Sequence, residues 1–323
     1  MMTNQPFFRP CLYNVCAMKK LTAFTLTALT VLLLGSCAKE LYVSTSFHEP
    51  ATDGLRFIYS KDAVHWDSIP GVWLTPQVGK QRVMRDPSMI RTPDGTFHLV
   101  WTSSWKGDRG FGYASSKDLI NWSEEQFIEV MDDTTTVNVW APELFWDEDR
   151  SQAFIVWASC IPFKFAKGIE DEYNNHRLYY VTTKDFQNFS KAKLLIDPGF
   201  SSIDAVLLKR AKDDYVMVLK DNTRPNRNIK VAFAKHPEGP WSKASEPFTG
   251  EFMEGPTVVK TKEGYYIYYD RYRIGDFGAS FTKDFIHFED VSDRVNVPKF
   301  HKHGTIFKAP KCVVERLLKQ TKQ

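Results

Sequence analysis

Five polar residues that could carry acid–base chemistry recur along the sequence at nearly even intervals. They lie 57, 61, 50 and 49 residues apart, and each opens or directly precedes a short apolar run: Asp86, Glu143, Asp204, Glu254 and His303. If the units that carry them are equivalent, the five side chains converge. Carboxylates are rarely turned inward without a partner or a task, because an ionised group loses several kcal/mol of solvation when it leaves water.

Converging carboxyl groups of this kind could cleave a glycosidic bond. Carboxyls that share one site raise one another's pKa, so that one of them can stay protonated near neutral pH. Glycoside cleavage needs this asymmetry, because a carboxylate activates water while a carboxylic acid protonates the departing oxygen. The residues therefore predict a hydrolytic site, provided that the chain folds so as to gather them.

A second repeat, out of phase with the first, indicates how the chain is built. Its copies read SKDAVHW, SKDLINW, TKDFQNF and TKDFIHF, and AKHPEGPW takes the missing place; they begin at Ser60, Ser116, Thr183, Thr282 and Ala234. Repeats of about 40 to 50 residues that are rich in short strands and turns are typical of a β-propeller. No sustained helical period appears within 41–310, and aromatic runs bounded by turn residues favour hairpins. We predict an all-β, five-bladed β-propeller.

The order of the repeats predicts how the ring closes. The chain passes through an apolar run from Leu41 and the first SKD unit before any of the acidic residues, whereas the His303 unit comes last without an SKD of its own. One blade should therefore be closed by both ends of the chain, with its inner strand from the C-terminus and its outer strands from residues 41–66. Such closure leaves few exposed strand edges.

The sequence of residues 1–37 is typical of a signal segment. A basic start at Lys19 and Lys20 precedes an apolar stretch that is too short to span a bilayer. Leu34-Gly-Ser-Cys37 resembles a bacterial lipoprotein box, in which the cysteine is lipidated, although ordinary signal cleavage is the alternative. We expect an exported protein anchored by a lipid on Cys37 to a bacterial membrane, at the outer membrane or cell surface, with a catalytic propeller at 41–310 and a short tail at 311–323.

Charge and cysteine content exclude several classes of protein. Beyond residue 37, 39 basic residues face 39 acidic ones, and this balance argues against nucleic acid as a partner. Cys160 and Cys312 allow at most one disulfide there, and their spacing fits no zinc motif. No oligomerisation signal appears, so we expect a monomer.

Four motifs in order resemble glycoside hydrolase family 43. They are Arg-Asp-Pro at 85–87, Trp-Ala-Pro-Glu at 140–143, Ser-Ile-Asp at 202–204 and Glu-Gly-Pro at 254–256. The resemblance, which covers about 41–310, implies a five-bladed propeller and, in most members, an inverting hydrolase of arabinofuranosyl or xylosyl linkages. It also implies that Asp86 is the general base, that Glu254 is the general acid, and that Asp204 orients the acid and keeps its pKa high. Inversion requires a base-to-acid separation of about 6.5–9.5 Å.

The same resemblance suggests substrate contacts. It places Trp140 near the sugar. Trp105, which the sequence places in a loop, could stack there as well, and we expect Glu143 to give structural or polar support, with substrate contact as the alternative. Arg271 should contact the sugar, or else form a salt bridge with a neighbouring aspartate. His303 should lie on the propeller axis, either as a calcium ligand or as a neutral histidine hydrogen-bonded to the carboxylates. Apart from that calcium, no cofactor is required.

The sequence predicts a hydrolase of terminal or internal pentose linkages, α-L-arabinofuranoside or β-D-xyloside, in oligo- or polysaccharides of plant type. Two alternatives stay open. One is a lipid-anchored, glycan-binding propeller without hydrolysis, which three carboxylates at Asp86, Asp204 and Glu254 disfavour. The other is an exo-acting hydrolase of galactan-type chains.

Overall fold

A computed structural model describes Met1 and residues 39–321, so the predicted signal segment and Cys37 lie outside the described residues. In chain order, the strands are β1 (Glu40–Ser46), β2 (Leu55–Ser60), β3 (Trp66–Leu74), β4 (Arg85–Arg91), β5 (Phe97–Thr102), β6 (Gly110–Ser116), β7 (Gln126–Glu129), β8 (Trp140–Asp147), β9 (Gln152–Cys160), β10 (His176–Thr183), β11 (Lys193–Ile196), β12 (Ser202–Ala211), β13 (Asp214–Asp221), β14 (Asn228–Ala234), β15 (Glu254–Lys260), β16 (Tyr265–Arg271), β17 (Asp276–Thr282), β18 (Phe288–Asp290) and β19 (Ile306–Pro310). A 3-10 turn covers Glu172–Asn174, and helix α1 covers Lys311–Gln320.

The strands form five antiparallel sheets, each of which is one blade. From the innermost strand outward, the first blade is β19-β1-β2-β3, the second β4 to β7, the third β8 to β11, the fourth β12 to β14 and the fifth β15 to β18. The innermost strands contact one another around the ring, from β4 through β8, β12, β15 and β19 back to β4. The predicted all-β, five-bladed propeller is confirmed.

The first blade joins the two ends of the chain, as predicted. Strand β19 pairs antiparallel with β1, and this pairing sets Pro310 opposite Glu40 and Ile306 opposite Ser44. The innermost strand of this blade therefore comes from the C-terminal end, while β1, β2 and β3 come from the N-terminal end. Lys311 also donates its N–H to the Lys39 carbonyl at 2.7 Å.

The SKD repeat is the turn that leads from the third strand of a blade to the outermost one. In the first copy, Ser60 Oγ accepts the Ala63 N–H at 2.9 Å, and Asp62 Oδ1 accepts the N–H groups of Val64 and His65 at 2.8 Å. The residue after the aspartate has a left-handed backbone and a buried side chain in all four copies: Ala63, Leu119, Phe186 and Phe285. These local bonds explain why Ser or Thr and Asp recur at this spacing.

The fourth blade lacks an outermost strand. AKHPEGPW follows its third strand, β14, at the place where the other blades have their SKD turn. The chain then runs beside β14, and N–H groups of Ser242, Ser245 and Phe248 donate to carbonyls of that strand at 2.8–3.1 Å. The spacing of these bonds is too wide for a regular ladder, so the edge is covered without forming a strand.

The hydrophobic core is divided into five clusters, one at each contact between neighbouring blades. Successive residues of a strand face opposite sides of its sheet, so a strand packed on both sides feeds two clusters. Val100 belongs to the cluster between the second and third blades, whereas Trp101 belongs to the cluster between the first and second. Burial on both faces accounts for strands that are apolar and aromatic throughout.

Helix α1 extends the cluster between the first and second blades. Val313, Val314 and Leu317 are buried there against residues such as Val43 and Leu55. Cys160 is a free, buried cysteine whose thiol donates to the Glu172 carbonyl at 3.3 Å, so a bridge to Cys312 does not form.

Within Met1 and residues 39–321, no helix has both the length and the apolar character needed to cross a bilayer.

Candidate active site

Four of the five innermost strands begin with the same irregularity, and it points side chains at the propeller axis. The register with the next strand slips by one residue near the start of β4, β8, β12 and β15. Inside each slip lies one residue with a left-handed backbone: Asp86, Ala141, Asp204 and Gly255, with φ between 46° and 57°. Bulges of this kind re-aim a side chain, and a left-handed non-glycine residue is often a functional one.

These bulges correct the predicted equivalence of the five polar residues. Asp86 and Asp204 occupy the same position in their blades, but the matching residues in the third and fifth blades are Ala141 and Gly255. Glu254 precedes that position by one residue, and Glu143 follows it by two. The regular spacing in the sequence therefore only approximates the structural repeat.

A cavity of about 200 Å³ opens above these bulges at one end of the channel. Among the predicted residues, Asp86, Asp204, Glu254, His303, Trp105 and Trp140 all line it. A cavity of about 510 Å³ at the opposite end is larger, and its lining includes Glu40, but Glu143 is the only predicted site residue on its wall. We take the smaller cavity as the candidate site because it gathers the titratable groups.

Asp86 is held in its ionised form. Its Oδ1 lies 2.8 Å from His303 Nε2, and its Oδ2 accepts the Thr102 hydroxyl at 2.8 Å. Burial alone would raise the pKa of this carboxyl, but His303, Arg85 and Thr102 together lower it to about 2. Asp86 can therefore accept a proton near neutral pH.

His303 is a buried cation between two carboxylates. Its Nδ1 lies 3.2 Å from Asp270 Oδ2, and its backbone N–H donates to the same oxygen at 3.3 Å. The Nε2 contact with Asp86 is an ion pair without the alignment of a hydrogen bond. Although burial opposes the charge, Asp86, Asp270 and Asp204 raise the pKa of His303 well above its usual value. The expected contacts with carboxylates are present, and the raised pKa favours a charged imidazole over the expected neutral one.

Asp204 and Glu254 are neighbouring carboxyls with opposite surroundings. Asp204 Oδ2 accepts the Gly255 N–H at 3.0 Å, whereas Glu254 Oε2 lies 2.8 Å from the buried Lys220 Nζ. Burial, helped by the Glu254 and Asp86 charges, raises the pKa of Asp204 to about 6. Lys220 and His303 outweigh burial at Glu254 and lower its pKa. The surroundings thus raise the pKa of Asp204 and lower that of Glu254, whereas the resemblance implied a high pKa for Glu254.

Glu143 lies below the site, outside the 200 Å³ cavity. It borders a void of about 20 Å³ under His303 as well as the large cavity at the far end. The side chain is deep in the molecule yet still touches channel solvent, and burial raises its pKa to about 7 while Thr305 donates to its Oε2 at 2.7 Å. These contacts favour the predicted polar support over the alternative of a substrate contact, since Glu143 does not line the candidate cavity.

Two tryptophans form an aromatic wall of the cavity. The Trp140 indole N–H donates to the Trp105 carbonyl at 2.9 Å, and the ring centroids are 5.0 Å apart. Trp140 stacks on His176 at 4.8 Å, while the Arg85 guanidinium lies 4.4 Å from the centre of the Trp105 ring. Since Trp105 is 52% exposed, its free face can meet a sugar.

Arg271 is not in the cavity. Its guanidinium forms a bidentate salt bridge with Asp276, at 2.7 and 2.6 Å, so the predicted sugar contact is wrong and the salt-bridge alternative is right. The next residue, Tyr272, lines the cavity instead.

Sequence reasoning missed three residues on the rim of the cavity. Asn174, Asn222 and Arg227 lie in the loops that join the second and third strands of the third and fourth blades. These loops differ in length and carry no repeated motif. Lys220-Asp221 at the end of β13 was the only local signal.

The donor groups do not fit a calcium ion. Among the described residues, Glu254, Asp270 and His303 bring possible ligand atoms within 4.8 Å of one another. Calcium takes six to eight oxygen ligands, whereas this group offers two carboxylates, one of them paired with Lys220. Both ring nitrogens of His303 already face carboxylates.

Comparison with known proteins gives one family match and several relatives. A family described as a probable glycosyl hydrolase domain, Glyco_hydro_43_rel, matches residues 39–311. An alpha-L-arabinofuranosidase of Bifidobacterium longum subsp. longum is 26% identical over 152 residues, which are 39% of this chain and 14% of the relative. The chain thus spans about one seventh of the length of this curated relative.

Two solved structures share the fold. A thermostable family-43 glycoside hydrolase has a TM-score of 0.58 and 15% identity, over 80% of this chain and 96% of that one. An exo-1,5-alpha-L-arabinanase from a bovine ruminal metagenomic library has a TM-score of 0.55 and 15% identity, over 78% and 92% of the two chains.

Proposed function

Since the chain belongs to the family of probable glycosyl hydrolase domains that matches residues 39–311, we propose that it is a glycoside hydrolase with Asp86 as general base and Glu254 as general acid. The observation that carries this proposal is that three carboxyls, those of Asp86, Asp204 and Glu254, line one small cavity. The pKa of Asp86 is lowered to about 2, chiefly by His303 and Arg85, whereas burial raises the pKa of Asp204 beside Glu254. Carboxyls whose surroundings push their pKa values apart supply a base and an acid.

In the proposed reaction, Asp86 takes a proton from water as the water oxygen attacks the anomeric carbon. The bond from that carbon to the glycosidic oxygen breaks, and this oxygen receives the proton of the acid. Thr102 fixes the Asp86 carboxylate, and the positive charge of His303 beside it favours the ionised state before transfer. Inversion, with the carboxyl separation that it requires, stays a prediction.

Glu254 is the proposed proton donor because of its position. Its side chain is 25% exposed and lines the cavity, whereas Asp204 is buried and its carboxylate accepts the Gly255 N–H. Donation requires Glu254 to carry the proton of the pair when the sugar is bound. We propose that Asp204 holds this proton in the free enzyme and yields it to Glu254 as substrate enters.

The proposed substrate is an arabinofuranoside or xyloside at a chain end or branch. The curated relative is named an alpha-L-arabinofuranosidase, and one structural neighbour is an exo-acting arabinanase. The cavity of about 200 Å³ is smaller than the usual pocket for a drug-sized ligand, so it suits a single sugar ring, with the neighbouring unit of the glycan at the rim.

A substrate panel tests the activity. We expect release from 4-nitrophenyl α-L-arabinofuranoside or 4-nitrophenyl β-D-xyloside, and from branched arabinan, with Asp86→Asn reducing turnover by a factor of 1,000 or more, on the order expected for loss of an essential group. Binding to these glycans without release by the wild-type protein would instead support a glycan-binding propeller.

Leaving-group chemistry separates the two candidate acids. Removal of a proton donor harms substrates with poor leaving groups far more than those whose leaving group needs no proton. Glu254→Gln should therefore lose turnover of arabinan but retain much of its turnover of a 2,4-dinitrophenyl arabinofuranoside. Asp204→Asn should instead reduce turnover of both substrates by a similar factor. The opposite pattern would make Asp204 the donor.

A further inference from the structure

We propose that Arg227 is a specificity residue that binds the carboxylate of an acidic sugar, a uronic acid linked to the unit that is cleaved. This inference rests on the proposed function, because it concerns a neighbouring position in the same glycan. It would make the substrate an acidic, branched polysaccharide fragment rather than a neutral one.

Arg227 is an unpaired cation on the cavity wall. The other basic side chains of the wall have carboxylate partners: Arg85 contacts both oxygens of Glu49 at 2.8 and 2.9 Å, and Lys220 contacts Glu254. Within the described part of the chain, the Arg227 side chain has no hydrogen-bonded or ionic partner, and its Nε is buried without an acceptor. A guanidinium that lines a cavity without a counter-charge can take one from a bound ligand.

A second orphaned donor lines the same cavity. The Tyr272 hydroxyl is buried and, among the described residues, has no hydrogen-bond partner. Asn222 adds a side-chain amide whose nitrogen reaches Asn174 Oδ1 only at the long distance of 3.5 Å. A guanidinium fork and a hydroxyl are both donors, so together they call for an acceptor-rich group, and a carboxylate meets a guanidinium with two parallel hydrogen bonds.

The loop that carries Arg227 is fixed in place. The backbone carbonyl of Arg227 accepts the Met253 N–H at 3.1 Å, and that of Asn226 accepts the Phe252 N–H at 2.9 Å. On its other side, the Arg224 N–H donates to Glu170 at 2.6 Å. The guanidinium therefore belongs to a loop that is positioned before a ligand arrives, which lowers the entropy lost on binding.

Arg227 is not needed to balance the catalytic carboxyls. The charges that chiefly set the pKa values of Asp204 and Glu254 are those of Lys220, His303 and the neighbouring carboxylates. The positive charge of Arg227 is thus left for the ligand.

Calorimetric titration of the whole chain with matched glycans tests this inference. The probes are xylo-oligosaccharides with a glucuronic acid branch and arabinose-bearing oligogalacturonides, each compared with its carboxyl-reduced, neutral form. The wild-type protein should bind at least one acidic form about 10-fold or more tightly than its neutral form, and added salt should reduce the difference. Arg227→Gln should abolish the preference, and Arg227→Lys should restore part of it.

Arg273→Gln is the matched control, because Arg273 is exposed and lies over the Phe252 ring outside the cavity lining. It removes the same charge and should leave the preference unchanged. Equal affinity for every acidic and neutral pair, or an equal loss in Arg227→Gln and Arg273→Gln, would overturn the inference.

The panel also separates this inference from the proposed function. Cleavage of neutral arabinofuranosides without any acidic preference would leave the hydrolase standing and remove the uronate site. Arg227-dependent binding of acidic glycans without hydrolysis of any would keep the site and remove the activity.

Discussion

At the scale of single residues, His303 links the proposed base to a buried carboxylate of another blade. It touches the proposed base through Nε2 and the buried Asp270 through Nδ1. A histidine in this position could be expected from its place in the last repeat. The charge of His303 could not be predicted, because Asp270 comes from the second strand of another blade and no local motif links Asp270 to His303.

The pH dependence of stability should report this ion pair. The raised pKa of His303 stabilises the fold fully below its ordinary value of 6.5, and this contribution is lost as pH rises through the folded value. The depressed pKa of Asp86 stabilises the fold above 3.8, and this contribution is lost as pH falls toward 2. His303→Gln should therefore lower the free energy of unfolding most between about pH 4 and 6.5, by about 3–5 kcal/mol.

Urea unfolding of wild type and His303→Gln across pH 3 to 10 measures this difference. His236→Gln, which changes an exposed histidine, is the control and should show no such dependence. A cost that is constant over the whole pH range would mean that His303 is not charged in the fold.

At the scale of elements, the bulge at the start of each inner strand explains what could and could not be predicted. The repeat alone gave the blades, their number and the shared first blade. The bulges were invisible, because Asp86, Ala141, Asp204 and Gly255 share a backbone conformation but not a residue type. Spacing therefore aligned Glu143 and Glu254 with the wrong position.

The rim of the cavity was harder to predict than its floor. The floor is built by inner strands that repeat, whereas Arg227 and Asn174 come from loops of unequal length. The sequence leaves open whether Arg271 contacts the sugar or a neighbouring aspartate, and only the fold shows that Asp276, across a short turn, binds its guanidinium.

Gly255 shows how tightly one bulge is built. A β-carbon there would lie 2.0 Å from His303 Cγ, and the residue has φ of +57°. Gly255→Ala should displace the imidazole from Asp86 and reduce turnover about 100-fold, the cost of a misplacement near 1 Å. Gly199→Ala is the control for backbone strain, since Gly199 has φ of +83° with nothing within 4 Å. Equal turnover in both variants, measured on an arabinofuranoside at saturation, would contradict this role.

At the scale of the whole molecule, the first blade makes the ring a single unit. Phe307 on β19 packs against Phe97 of the second blade, with ring centroids 5.9 Å apart. Each blade buries both faces against its neighbours, so loss of the closing strand exposes two clusters. The ring should therefore unfold cooperatively.

Phe307→Ala tests this cooperativity. Loss of a buried phenylalanine should lower the free energy of unfolding by about 3–5 kcal/mol, whereas Lys308→Ala, at an exposed position on the same strand, should change it by less than about 1 kcal/mol. Within each variant, tryptophan fluorescence and near-ultraviolet circular dichroism should report the same urea midpoint. Separate midpoints would show that blades unfold independently.

The path of the first strand bears on how the protein would sit in a cell. Glu40 opens β1 at the wall of the far cavity, and the strand then climbs toward Phe47 and Glu49, beside the mouth that holds Asp86. A segment that leads into residue 39 would thus join the propeller at the end of the channel opposite the candidate active site. If the predicted lipid on Cys37 is present, the candidate active site would lie at the end of the channel opposite the point where the anchored segment joins the ring.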